Sequence, residues 1–92
     1  MKSRAHISVS GIVQGVYFRD FTRSHASAFG LTGWVRNLPD GQVEAVVEGE
    51  REEIDRLVER LWTGPPASRV DDIQVNWEDY TGSFINFQVK YW

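Results

Sequence analysis

Across Gly11–Arg19, Gly-Ile-Val-Gln-Gly-Val-Tyr-Phe-Arg, the apolar period of the chain switches from the two of a strand to the roughly 3.6 of a helix. Residues 6–13 alternate, with Ile7, Val9 and Val13 on one face and His6, Ser8 and Ser10 on the other. From Phe18 onward, Phe18, Phe21, Ala28 and Phe29 recur at helical spacing, and Gly30 stands where a helix commonly stops. A strand therefore runs into a glycine-containing turn, Gly11–Tyr17, and then into a helix start. Such a junction makes an anion site on physical grounds alone. Successive N–H groups of the turn can converge on one point. The first turn of the helix adds unpaired N–H groups and the positive end of its dipole. Gly15 supplies the backbone freedom the turn needs. Arg19, one residue into the helix, brings a permanently charged planar fork suited to two oxygens of an anion.

The remaining segments sort by the same periods. Leu31–Leu38, with Trp34 and Val35, reads as a second strand, and Pro39-Asp40-Gly41 is turn chemistry. Gln42–Glu48 alternates with Val43, Ala45 and Val47 on one side, so the two strands form a hairpin. Ile54, Leu57, Val58, Leu61 and Trp62 then mark one face of a helix whose charged residues lie elsewhere, and Gly64-Pro65-Pro66 ends it. Val70–Glu78 and Phe84–Trp92 are strand-like again. The order is βαββαβ plus a last strand. It predicts an α+β, ferredoxin-like sandwich, two helices on one face of a mainly antiparallel sheet with an additional C-terminal strand. Trp34, Trp62 and Trp77 occupy core-like positions and are expected to be packing residues.

A chain of 92 residues has room for one small domain, 1–92. It contains no cysteine, so neither a disulfide nor a thiolate metal site is available. His6 and His25 fall in different elements with no third histidine to complete a metal site. The start of the chain shows no apolar signal core, and no run approaches a bilayer span, so a cytoplasmic monomer with no membrane partner is expected. The formal net charge is −3 with no basic stripe, which argues against a general nucleic-acid binder and offers no long-range pull on an anion. Anion recognition must be local. Asp20 and Asp40 suit helix-start and turn roles rather than a catalytic pair. Arg36, next to Asn37, is turned by strand alternation to the opposite face.

Two stretches carry the functional signal together: Val13-Gln14-Gly15-Val16-Tyr17-Phe18-Arg19 and Gly33-Trp34-Val35-Arg36-Asn37-Leu38-Pro39-Asp40-Gly41. Here the chain resembles the acylphosphatase family over essentially its whole length, and both family signatures are matched without a break. The resemblance implies hydrolysis of a carboxylic–phosphoric mixed anhydride to carboxylate and phosphate, with no metal or cofactor. It further implies that Arg19 binds the phosphoryl group and that Asn37 orients the attacking water.

The residues themselves fit those roles. Phosphoryl transfer gains mainly from positioning and charge stabilisation, which the amides of Gln14, Gly15, Val16, Tyr17 and Phe18 together with Arg19 can supply. Asn37 has no pKa near neutrality and cannot act as a general base, but its oxygen can accept a hydrogen bond from water and aim a lone pair at phosphorus. A second possibility is a module that holds phosphate or a carbamoyl-phosphate-like group without turnover. A third, an RNA-binding ferredoxin-like domain, lacks the basic and aromatic signature on a central strand.

Overall fold

The computed structural model describes residues Met1–Tyr91. Seven elements follow one another: β1 (Lys2–Ile12), α1 (Phe18–Ala28), β2 (Thr32–Asn37), β3 (Val43–Glu50), α2 (Arg51–Thr63), β4 (Arg69–Glu78) and β5 (Phe87–Lys90). The five strands form one sheet in the order β4-β1-β3-β2-β5. β1 runs antiparallel to both β3 and β4, β2 runs antiparallel to β3, and β5 joins β2 in parallel. Both helices lie on one face. The ferredoxin-like arrangement is the one the order of periods predicts.

The core forms between that face and the helices. Ala5, Ile7 and Val9 of β1 and Val43, Ala45 and Val47 of β3 meet Phe18 and Ala26 of α1 and Ile54, Leu57 and Leu61 of α2. Each side chain is buried, at about 1.5–3 kcal/mol for the larger ones. The two helix ends are settled locally. Gly30, at φ 72°, lets Leu31 N–H reach Ala26 O at 2.9 Å and its own N–H reach Ser27 O at 3.1 Å, a Schellman close for α1. Gly64 N–H caps Arg60 O at 2.9 Å before the two prolines forbid further helix.

Four expectations need correction. β1 begins at Lys2 rather than at residue 6, because Lys2 and Ser3 pair with Glu50 and Gly49 across the sheet, a contact no local pattern reveals. The last strand is confined to Phe87–Lys90, and Ile85 is almost fully exposed, so the alternation over 84–91 outruns the sheet. Its final residue, Trp92, lies outside the described residues. Trp62 and Trp77 are 48% and 36% exposed and are not core. Trp77 lies on an edge strand, covered by the Arg51 guanidinium at 3.6 Å, and Trp62 flanks the buried stripe of α2. Trp34 is half-buried on the helix-free face, with the Arg36 guanidinium 5.2 Å from its ring.

That helix-free face carries the buried and half-buried charges. Glu44 binds His6 Nε2 and accepts Arg36 Nε–H, each at 2.7 Å. Glu48 is 1% exposed and accepts four donors: Thr81 N–H at 2.9 Å, Thr81 O–H at 2.7 Å, Gly82 N–H at 3.0 Å and Arg4 at 3.3 Å. Burial on its own would raise the pKa of Glu48. The hydrogen bonds from Thr81, Arg4 and Gly82 outweigh it and hold the carboxyl below the ordinary range. Glu44 is lowered in the same manner, desolvation being overcome by His6 and Arg36.

Candidate active site

Between β1 and α1 the backbone is left-handed at Gly15, φ 73°, and at Tyr17, φ 65°. Tyr17 is the one non-glycine residue with positive φ among those described, so Gln14, Val16 and Phe18 lie on the negative side. The sign of φ thus alternates residue by residue from 14 to 18. Alternation of this kind turns consecutive N–H groups toward a common point. A Cβ on Gly15 would meet nothing within 4 Å, so glycine is required there for its φ alone. Tyr17 accepts the usual cost of left-handed backbone, about 1–2 kcal/mol, and holds the first turn of α1 through Phe21 N–H to its carbonyl at 3.0 Å. The N–H groups of Phe18, Arg19 and Asp20 therefore precede the first intrahelical bond, at the positive end of the helix.

These groups border a cleft of about 310 Å³ whose lining includes Gly15, Tyr17, Phe18, Arg19, Asn37 and Tyr91. Arg19 and Asn37, far apart in sequence, are brought to one cavity because β1 and β2 both flank β3 and end on the same side of the sheet. The Arg19 guanidinium carbon sits 4.8 Å from the centroid of the Tyr91 ring. Stacking covers a face of the guanidinium and leaves its in-plane N–H groups usable. Asn37 Oδ1 is buried and has no hydrogen-bond partner among the described residues. An acceptor left this way costs about 1–3 kcal/mol. Of the loop residues named from the sequence, Val16 packs on the core rather than into the cleft. The Gln14 side chain turns to the β2–β3 turn, with Nε2 2.7 Å from Leu38 O and 2.8 Å from Gln42 O.

Asp20 also borders the cleft, with its carboxylate 3.8 Å from Arg23. Asp40 serves the turn, accepting Gln42 N–H at 3.0 Å. Arg36 faces the other side of the sheet, on Glu44, as alternation requires. Tyr91 is the cleft residue that sequence reasoning did not single out. Nothing in its local sequence signals a partner in α1. Among the described residues no group of three or more His, Cys, Asp or Glu is arranged to hold a metal ion. Among the same residues no helix is long and apolar enough to cross a membrane.

Comparison with known proteins gives the family of the chain. A family model described as acylphosphatase matches residues 5–89. An acylphosphatase of Pelotomaculum thermopropionicum is 54% identical over 90 residues, covering 98% of both chains. The chain belongs to the acylphosphatase family. The crystal structure of acylphosphatase from Bacillus subtilis superposes with a TM-score of 0.94 at 37% identity, covering 99% of this chain and all of that one. The acylphosphatase fold also occurs inside a much larger protein. Full-length HypF, in a phosphate- and nucleotide-bound form, matches 98% of this chain at 29% identity and a TM-score of 0.85, over 12% of its own length.

Proposed function

We propose that the chain, as one domain over 1–92, is an acylphosphatase that hydrolyses the carboxyl–phosphate bond of small acyl phosphates without a metal or cofactor, as a cytoplasmic monomer. Family membership supports the reaction class. The observation that carries the chemistry is the partnerless Asn37 Oδ1 in the cleft that Arg19 shares.

The phosphoryl oxygens sit on the amides of Gln14–Phe18 and on the Arg19 guanidinium, which take up the charge spread over them in the transition state. Asn37 Oδ1 accepts a hydrogen bond from water and holds its lone pair in line with phosphorus. Water oxygen bonds to phosphorus, the bond from phosphorus to the acyl oxygen breaks, and the carboxylate leaves with its electron pair. Asn37 cannot take the proton, so the proton goes to a substrate oxygen.

The deciding experiment is phosphate release from benzoyl phosphate with a chelator present, for wild type, Arg19→Ala and Asn37→Ala. Fast release by wild type, with turnover lost in both variants and phosphate affinity kept in Asn37→Ala, is the expected outcome. No release by wild type, with phosphate still raising the melting temperature, would leave a phosphate- or carbamoyl-phosphate-binding module instead.

A further inference from the structure

Gln14 stands inside the anion loop, but its side chain serves a different element. Its amide nitrogen carries two N–H donors, and they go to two carbonyls of one turn: Leu38 O at 2.7 Å and Gln42 O at 2.8 Å. That turn is already closed by its own backbone, with Leu38 N–H on Gln42 O at 2.8 Å and Gly41 N–H on Leu38 O at 3.2 Å. Neither carbonyl depends on Gln14 for satisfaction. What Gln14 adds is a direct side-chain link between two pieces of backbone that border the cleft. One is the loop whose amides are directed at the anion. The other begins one residue after Asn37.

We infer that Gln14 is a positioning residue, whose side-chain amide sets the spacing between the loop amides and the Asn37 carboxamide and so acts on turnover rather than on phosphate binding. The inference rests on the acylphosphatase reading above. An in-line attack tolerates little misplacement. The phosphoryl group is held from the loop side, by amides and Arg19. The water is held from the β2 side, by Asn37. The two halves of the reacting pair are therefore carried by different elements, and their separation is set by whatever ties those elements together at the cleft. The Gln14 amide is bonded to the residue beside Asn37 and is covalently part of the loop.

The test uses three variants, assayed on benzoyl phosphate with inorganic phosphate as competitive ligand, each shown folded by urea unfolding. Gln14→Leu removes both donors and orphans no carbonyl, so the fold has no new unsatisfied group to tolerate. It is expected to lower kcat by about 10²-fold, the usual cost of misplacement near 1 Å, while KM and phosphate inhibition stay at wild-type values. Gln14→Asn, one methylene short of the turn, should behave like Gln14→Leu. Gln14→Glu sets a carboxylate against two carbonyl oxygens. That arrangement favours its neutral form and raises its pKa, and the protonated acid regains one donor. Its kcat relative to wild type should therefore climb as pH falls, a response that a general loss of stability would reverse.

Unchanged kcat in Gln14→Leu would overturn the inference, as would a raised KM at unchanged kcat, which would make Gln14 a phosphate ligand. A Gln14→Glu to wild-type ratio that stays level with pH would overturn it too. Absence of turnover in wild type itself would bring down the acylphosphatase reading and this inference together. Turnover in wild type that survives in Gln14→Leu would remove only the inference.

Discussion

The Tyr91 ring lies on the Arg19 guanidinium, 4.8 Å from centroid to carbon, so the residue at the start of α1 is braced by one beyond the end of β5. The brace matters because Arg19 has no ion pair with another described residue to restrict its long side chain. A cation–π contact at an exposed site contributes about 0.5–1 kcal/mol. Tyr91→Ala is therefore expected to weaken phosphate inhibition by roughly two- to five-fold, with Tyr91→Phe close to wild type. Titration of inhibition by inorganic phosphate reads this directly.

Arg19→Lys is expected to recover little of what Arg19→Ala loses. A lysine retains the charge but presents a point donor in place of a planar fork, and it stacks less well on Tyr91. Steady-state rates on benzoyl phosphate should fall by about 10²–10³ for Arg19→Ala, with Arg19→Lys nearer to the alanine variant than to wild type.

Two glycines predict losses of different size for the same substitution. A Cβ at Gly15 meets open space, so Gly15→Ala costs about 1–2 kcal/mol of backbone strain. At Gly33, φ 135°, a Cβ would run into the Val46 carbonyl of the paired strand. β2 lies between β3 and β5 and cannot retreat from either. Gly33→Ala should therefore lose roughly 3 kcal/mol or more. Urea unfolding of the two variants should show a small loss for the first and a large one for the second, and an equal loss in both would refute the contrast.

Acid should unfold the protein through its helix-free face. Glu44 and Glu48 both have folded-state pKa values below the ordinary 4.5. A carboxyl depressed by folding stabilises the fold above its unfolded pKa, and that stabilisation is lost as pH falls through the folded value. Stability is therefore expected to be level near neutrality and to decline once pH passes below about 4.5. Glu48→Gln should be weaker at neutral pH, by of the order of 2 kcal/mol for the charge-assisted bonds it forfeits, and should show a shallower decline. Unfolding free energies across an acid series test both statements.

Much of this molecule is legible in its sequence because its signals are local. The alternation of Ile7 and Val9, the helical spacing from Phe18, the Gly30 stop and the turn chemistry of Asp40 each depend on a few neighbouring residues, and each is found where expected. The residues that misled depend on distant partners. Trp77 has a core-like spacing but lies on an edge strand, where Arg51 covers it. Glu48 falls at a position that alternation assigns to the open face, and it is buried because Thr81 and Gly82 fold over it. In the cleft, the type of residue at 19 and 37 was readable. The Gln14 link to Leu38 and the Tyr91 ring on Arg19 were not, since both join segments that become neighbours only in the finished sheet.

β1, the strand held between β3 and β4, precedes both of them in the chain. Lys2 pairs with Glu50 and Arg4 with Glu78, so β1 waits through most of synthesis for both of its neighbours. The ring that braces Arg19 comes later still, at residue 91. At about 5–20 residues per second, roughly 4–14 seconds separate translation of Arg19 from translation of Tyr91. A ribosome-bound chain therefore carries its anion loop before the strands that flank β1 have been made, and Arg19 gains its aromatic brace last.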